Sequence, residues 1–280
     1  MSVKMISSPY FLLSILGFLL CQGILGHAVD ALADDVAVTE KSTFSTLKSK
    51  VRSAVWAEYM TPNYSSTQFP PSYAIAWLDY DIGKDFKVLY WQRSFIFANT
   101  PTGFQGVQFE VRNPRFALRK INVIQIPNLS STYDLYVQPG LGNEANRGGR
   151  HIEVGFRTNH SYAIPHSKWS TGMTTEVTSA TSFFSDLRGA NLYGWVMPWF
   201  NYEINKTFST QHYFAYNFQH YRTKPWNVIS LDEPFPYIQN GVGINITDKV
   251  STTLLINHST LKPLALGNLW ASLWMSWVLN

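Results

Sequence analysis

The sequence predicts an all-β fold, an antiparallel transmembrane β-barrel of about twelve strands. Two features point to it first: apolar and polar residues alternate along many short segments, and 15% of the 280 residues are aromatic while only 14% are charged. The third feature is the connections, which comprise three short, similar turns and several longer polar loops. Short periplasmic turns at one rim and longer extracellular loops at the other are typical of barrels that span a membrane.

The same composition argues against several other classes of protein. Disordered chains are poor in aromatic residues and rich in net charge, whereas the net charge here is only +4. That charge is spread without a basic run, so nucleic acid is not an expected partner. No stretch of about 20 apolar residues is present to form a membrane-spanning helix in a helical bundle.

The N-terminus carries the pattern of a secretory signal peptide. Lys4 supplies a positive charge, residues 11–20 form a short apolar core, and small residues before Ala28 suit a signal peptidase. We therefore expect a signal peptide over residues 1–28, with cleavage as late as Ala33, and a periplasmic segment over 29–50. The alternative is a membrane anchor, but the apolar core is short for a spanning helix. The one cysteine, Cys21, falls in this segment, so the mature chain needs no disulfide.

The mature chain is predicted to form a ladder of strands from residue 51 to residue 280. In residues 192–204, for example, Leu192, Val196 and Phe200 alternate with Tyr193, Trp195 and Trp199, which is a β period. The predicted strands are 51–60, 72–82, 86–97, 105–112, 133–139, 151–162, 170–180, 192–204, 208–219, 236–246, 250–258 and 269–279. Residues 115–126 are a possible extra strand, a periplasmic segment or a plug. They are left out of the count, because one more strand would make the number of strands odd, whereas bacterial barrels have an even number.

The predicted turns at residues 81–86, 203–208 and 245–250 resemble one another. Each has Ile, then polar turn residues that include Lys, then Phe or Val, which is typical of a tight hairpin. If these turns lie on the periplasmic side, strand parity places both ends of the barrel domain there as well.

The distribution of aromatic and polar residues favours a membrane barrel over a secreted β-sandwich, which also alternates. Tyr80, Tyr202, Phe208 and Trp277 lie near strand ends on the apolar faces, where amphipathic rings suit the borders of a bilayer. The opposite faces are polar but weakly charged, which suits a lumen. Residues of this kind are Gln92, Gln211, Asn217, Gln219, Gln239, Asn245, Ser272 and Ser276.

These features together resemble the Gram-negative outer-membrane β-barrel class, with its porin-like and channel-like members. The resemblance rests on the signal peptide, the cysteine-free mature chain, the three repeated hairpins and the aromatic C-terminal strand 269–279. It implies export through the signal peptide to the outer membrane of a Gram-negative cell. One departure is the C-terminus, Val278-Leu279-Asn280, because such chains usually end in an aromatic residue, and Trp277 is the nearest one here.

Several charged residues are expected to point into the lumen and to form a constriction. They either set the solute preference of a pore or brace the wall as ion pairs. The candidates are Asp79, Asp81, Lys87, Arg93, His151, Glu153, Arg157 and Glu203. Four other charged residues, Glu110, Arg112, Arg115 and Lys120, are expected near the periplasmic end and in contact with solvent.

The sequence predicts neither an enzyme nor a metal or cofactor site. Outer-membrane phospholipases place His and Ser on one strand face, but His160 and Ser161 are adjacent and should point to opposite faces. The His residues show no metal-ligand spacing.

We therefore expect a monomeric passive channel or porin for small polar solutes. Two alternatives stay open: a plugged structural or surface barrel without transport, and a lipid-modifying hydrolase. The plugged barrel is suggested by large aromatic residues on the lumen face, which are Trp77, Trp91, Trp195, Trp199, Trp270 and Trp274. The expected partners are outer-membrane lipid and small solutes.

Overall fold

The structure is a computed structural model that describes residues 51–60, 72–96, 109–141, 151–181, 190–221, 236–260 and 263–279. The predicted signal peptide and the N-terminal segment 29–50 lie outside the described residues. Most of the predicted long loops also lie outside them.

Nearly all of the described chain is β-strand, with one 3₁₀ turn at Leu266–Asn268 before the last strand. Among the described residues, no helix is long and apolar enough to cross a membrane. The strands are β1 Val51–Met60, β2 Ser72–Asp81, β3 Phe86–Ile96, β4 Phe109–Val111, β5 Arg115–Ile121, β6 Leu129–Pro139, β7 Ile152–Ala163, β8 Trp169–Thr181, β9 Ala190–Glu203, β10 Phe208–Tyr221, β11 Tyr237–Asn245, β12 Val250–Ser259 and β13 Leu269–Val278.

The strands form a single closed, antiparallel barrel. Except for β4 and β5, which do not pair with each other, each strand pairs with its neighbours in the chain. The ring closes where β1 pairs with β13, from Ala54 opposite Val278 to Met60 opposite Ser272. β4 and β5 both pair with β3. β4 pairs with the C-terminal end of β3, and β5 pairs with the N-terminal half of β3. They therefore fill one strand position, and the barrel has twelve positions, as predicted.

The exclusion of residues 115–126 from the barrel was wrong. Arg115–Ile121 is a strand that pairs with β3 on one side and β6 on the other. It continues the position begun by β4 after a break at Asn113-Pro114, and Pro114 has no N–H to donate to a ladder. Because one interrupted strand fills one position, the even parity is kept.

The three similar turns adopt one hydrogen-bonding pattern. The N–H groups of Ile82, Ile204 and Ile246 donate to the carbonyls four residues later, at 3.1, 3.0 and 2.9 Å. Two further connections, residues 122–128 and 164–168, leave the barrel at the same rim. β1 begins and β13 ends at this rim, which we call the turn rim, as the parity argument predicted.

Side chains alternate between the lumen and the outer surface along each strand. On β12, for example, Leu254 and Ile256 point outward and are 55% and 57% exposed, while Leu255 points inward and is fully buried. Most of the exposed large hydrophobic residues, such as Leu135 and Phe156, belong to the outward set. The barrel therefore presents an apolar belt outside and a predominantly polar face inside, which is the pattern of a transmembrane barrel.

Candidate functional site: the charged lumen

The charged groups nearest the turn rim form a four-residue cluster on β1, β2 and β3. Lys87 Nζ lies 3.0 Å from Asp81 Oδ1 and 3.9 Å from Asp79 Oδ1. Arg52 lies across the same two carboxylates, at 3.3 Å from Asp79 and 3.5 Å from Asp81. Asp79, Asp81 and Lys87 were among the lumen candidates predicted from the sequence, but Arg52 was missed. Strict alternation along β1 would have placed Arg52 on the same face.

Arg93 shares the lumen face of β3, as predicted, but it lies apart from this cluster. It is six residues further along the strand, where its guanidinium carbon is 5.3 Å from the centre of the Tyr73 ring. Glu58, which is buried on β1, interacts electrostatically with Arg93 and accepts hydrogen bonds from Tyr73 and Ser272.

Arg119 and Asp134 form a bidentate ion pair between β5 and β6. Arg119 Nε donates to Asp134 Oδ1 at 2.6 Å, and Arg119 Nη2 donates to Asp134 Oδ2 at 2.8 Å. The two residues are direct register partners, and Asp134 is 2% exposed. This bidentate geometry combines charge attraction with two hydrogen bonds, so the pair is a strong link between β5 and β6 on the lumen side.

Arg115 and Glu176 form a second bidentate pair, which reaches across the lumen surface of two intervening strands. The two guanidinium–carboxylate distances are 3.0 and 3.2 Å, and Tyr136 Oη donates to the same carboxylate at 2.9 Å. The expectation that Arg115 is in contact with solvent near the periplasmic end was wrong. Its side chain is only 11% exposed, since it lies over the Tyr136 ring at 3.8 Å. Lys120, by contrast, is an exposed outward residue near the turn rim, 5.7 Å from the centre of the Phe86 ring.

Arg157 occupies the lumen between two tryptophan rings. It comes from β7, and its guanidinium carbon lies 5.4 Å from the ring centre of Trp91 and 5.5 Å from that of Trp195. It therefore lies on the lumen face predicted for it, together with Glu153.

Glu153 accepts hydrogen bonds from two neutral residues and lies nearer the opposite rim. Tyr193 Oη donates to Glu153 Oε1 at 3.0 Å, and Gln138 Nε2 donates to Glu153 Oε2. Gln138 also accepts from Arg115 Nε at 3.3 Å, so Glu153 joins the network of the second ion pair. His151 lies just before β7, towards the rim opposite the turn rim. Glu203 is an exposed residue at the turn rim.

The lumen wall formed by β10, β11, β12 and β13 differs in kind, since its described inward positions carry no acidic or basic side chain. Amides and hydroxyls hydrogen-bond there: Tyr213 Oη donates to Gln211 at 2.7 Å, and Asn257 Nδ2 donates to Ser272 at 2.8 Å. Trp274 packs against Tyr213 with ring centres 5.2 Å apart. The charged groups thus lie on one side of the lumen and a neutral, aromatic and amide wall lies on the other.

Sequence reasoning missed six members of the charged wall. Arg115 and Arg119 were missed because their strand was left out. The other four lie in strands that were predicted, at inward positions that the alternation itself marks, and they are Arg52, Glu58, Asp134 and Glu176. Within the described part of the chain, no group of His, Cys, Asp or Glu has the arrangement needed to hold a metal ion.

Solved structures of outer-membrane proteins share the fold of this chain. The chain is similar to the COG4313 outer membrane channel from Pseudomonas putida F1, with 10% identity and a TM-score of 0.54, over 82% of this chain and 95% of that one. It also matches OmpF of Salmonella typhi in complex with daunomycin, with 6% identity and a TM-score of 0.41, over 81% and 96% of the two chains. No family model and no curated protein matches the sequence. The protein has the fold of the outer-membrane β-barrels, as its sequence resemblance implied.

Proposed function

We propose that this protein is a passive outer-membrane channel for small polar solutes. The observation that carries the proposal is the two-sided lumen, in which a charged wall faces a neutral wall of amides and aromatic rings. A lumen of this composition offers hydrogen bonds and charge to a polar solute. The fold likeness to an outer membrane channel supports the same function.

The arrangement of the charges suits a narrow passage. Arg119 and Arg115 are held by bidentate contacts with Asp134 and Glu176, so the wall is rigid and largely neutralised. Paired charges keep a lumen hydrated while they repel neither sign of ion strongly. We therefore expect weak overall selectivity, with any preference set by charges that have no partner.

A second candidate is a plugged barrel without transport, and one observation favours it. Tyr136 is 2% exposed although it points into the lumen, and its ring lies against Gly155 on the neighbouring strand. Gln239 and Leu255 are similarly buried on the neutral side. Side chains packed in this way fill part of the interior and could close it.

Single-channel recording in planar lipid bilayers decides between the two candidates. A passive channel gives stepwise currents from protein whose folding is verified by heat-modifiable gel migration, and none from heated protein. Folded protein that gives no current contradicts the channel. A plugged barrel should then conduct when Tyr136→Ala removes the lumen ring, whereas Tyr133→Ala, an outward tyrosine on the same strand, should leave it closed.

The proposal includes no enzymatic activity. His160 lies on the outer face of β7, where its ring packs edge-on against Tyr133. Ser161 belongs to the lumen-facing set of the same strand, so the two side chains point apart. Phospholipid release that disappears in both His160→Ala and Ser161→Ala would instead support the hydrolase. We also propose a monomer, which cross-linking in outer-membrane fractions tests.

A further inference from the structure

Three arginines converge on the middle of the charged wall, and two of them are neutralised there. Arg115 is paired with Glu176, and Arg119 is paired with Asp134, each by two hydrogen bonds. Arg157 forms no ion pair or side-chain hydrogen bond with any other described residue. The acidic groups that act on it electrostatically are Glu176 and Asp134, and these already bind the other two arginines.

The surroundings of Arg157 hold its guanidinium in place without satisfying its donors. Trp91 on β3 and Trp195 on β9 flank it at 5.4 and 5.5 Å, within the range of about 6 Å in which a ring attracts a cation. Ring faces accept no conventional hydrogen bond, so the N–H groups are left for another partner. Arg157 is partly exposed. Several buried polar atoms of the described residues lack a hydrogen-bond partner, but the guanidinium nitrogens of Arg157 do not belong to them.

We propose that Arg157 is an anion-binding site in the lumen and that it recognises the carboxylate of a small organic acid. A planar guanidinium with free N–H groups binds a carboxylate through two parallel hydrogen bonds. The flanking indole rings supply an apolar surface for a short alkyl body attached to that carboxylate. This inference deepens the proposed channel function and rests on it for its role in permeation.

The pairing of the neighbouring groups agrees with this assignment. Arg115 is paired with Glu176 and Arg119 with Asp134. The carboxylate of Glu153 joins the network through Gln138, so the network as a whole carries no net charge. Arg157 is the arginine of this network that no described carboxylate pairs, so its positive charge is the one left for an anion in the lumen.

The test compares Arg157→Gln and Arg157→Lys with a matched control, Lys120→Gln. The control removes one positive charge from the exposed outer surface and leaves the lumen unchanged. Binding is measured without any need for conduction, by saturation-transfer NMR from the folded barrel in deuterated detergent to propionate, with methylammonium as the cation probe. Selectivity is measured from the reversal potential in bilayers under a gradient of potassium propionate.

For the wild type and for Lys120→Gln we expect saturation transfer to propionate but not to methylammonium. Arg157→Gln should weaken propionate binding about tenfold or more, which is the loss of a charge-assisted pair, and shift the reversal potential towards cations. Arg157→Lys should keep the reversal potential but bind propionate less well, since an ammonium lacks the planar fork.

Unchanged propionate binding in Arg157→Gln overturns the site, even if the protein conducts. Binding that depends on Arg157 in a protein that never conducts overturns the channel function but leaves the site standing. Heat-modifiable migration of each variant verifies that it is folded. If Arg157→Gln does not fold, Arg157→Lys decides the inference: propionate binding equal to that of the wild type overturns it.

Discussion

Removing the carboxylate of Glu176 should be the most damaging single change in the lumen. Glu176→Gln keeps the size of the side chain but removes the charge that receives both hydrogen bonds from Arg115 and one from Tyr136. The side chains of the pair are only 11% and 7% exposed, so solvent replaces little of the lost interaction. Breaking a buried pair in this way costs about 3 kcal/mol or more.

Removing the other partner should cost less, because a second arginine is close by. In Arg115→Gln the carboxylate of Glu176 is left beside Arg157, which already interacts with it electrostatically and has no ion-pair partner among the described residues. Arg157 can then take over the carboxylate. We expect a destabilisation of about 1–2 kcal/mol, roughly half the cost of Glu176→Gln, in which two arginines face each other uncompensated.

Reversible unfolding of the barrel by guanidinium chloride in detergent micelles, followed by tryptophan fluorescence, measures these free energies. Glu203→Gln is the matched control, because it removes a carboxylate that is exposed at the turn rim. It should change the free energy of unfolding by no more than about 0.5 kcal/mol. The reasoning is refuted if Glu176→Gln is as mild as this control, or if Arg115→Gln costs more than Glu176→Gln.

Three further predictions concern the wall itself. Gly155→Ala should destabilise the barrel by about 1–3 kcal/mol in the same unfolding assay, since the added methyl group would overlap the Tyr136 ring. The control is Gly83→Ala, which should leave the free energy of unfolding unchanged because its methyl group would meet no atom within 4 Å. Leu254→Arg places a charge on the outer belt and should cost about 2–4 kcal/mol if the belt faces lipid, measured as the free energy of folding into lipid vesicles. Asn205→Ala should cost about 1 kcal/mol in chemical unfolding, because Asn205 Oδ1 accepts two backbone N–H bonds in its turn, at 2.8 and 2.9 Å. An unchanged midpoint in that variant would argue that the turn holds its shape without them.

The strands and their inner and outer faces were readable from the sequence because a β-strand has a period of two. Asp79 and Asp81 were placed inward by the apolar residues between and around them, and the structure agrees. The three similar turns likewise carried enough local chemistry to predict hairpins. Each of these inferences needs only residues that are close together in the chain.

Residues 115–126 were misjudged for a reason that is equally physical. The break at Asn113-Pro114 divides one strand position into two pieces, and a sequence shows the interruption but not the shared partner. Only the pairing of both pieces with β3 reveals that they fill a single position. With that strand left out, Arg115 and Arg119 could not be placed in the lumen.

The sequence by itself determined that this chain forms a barrel with a polar lumen, because alternation and turn chemistry act over a few residues. The tertiary structure decided which charges meet. Arg115 and Glu176 are 61 residues apart, on strands that are not neighbours in the barrel, and no local pattern pairs them. Closure of the sheet sets how far a side chain reaches across the lumen, and it leaves Arg157 between two tryptophan rings without a carboxylate of its own among the described residues.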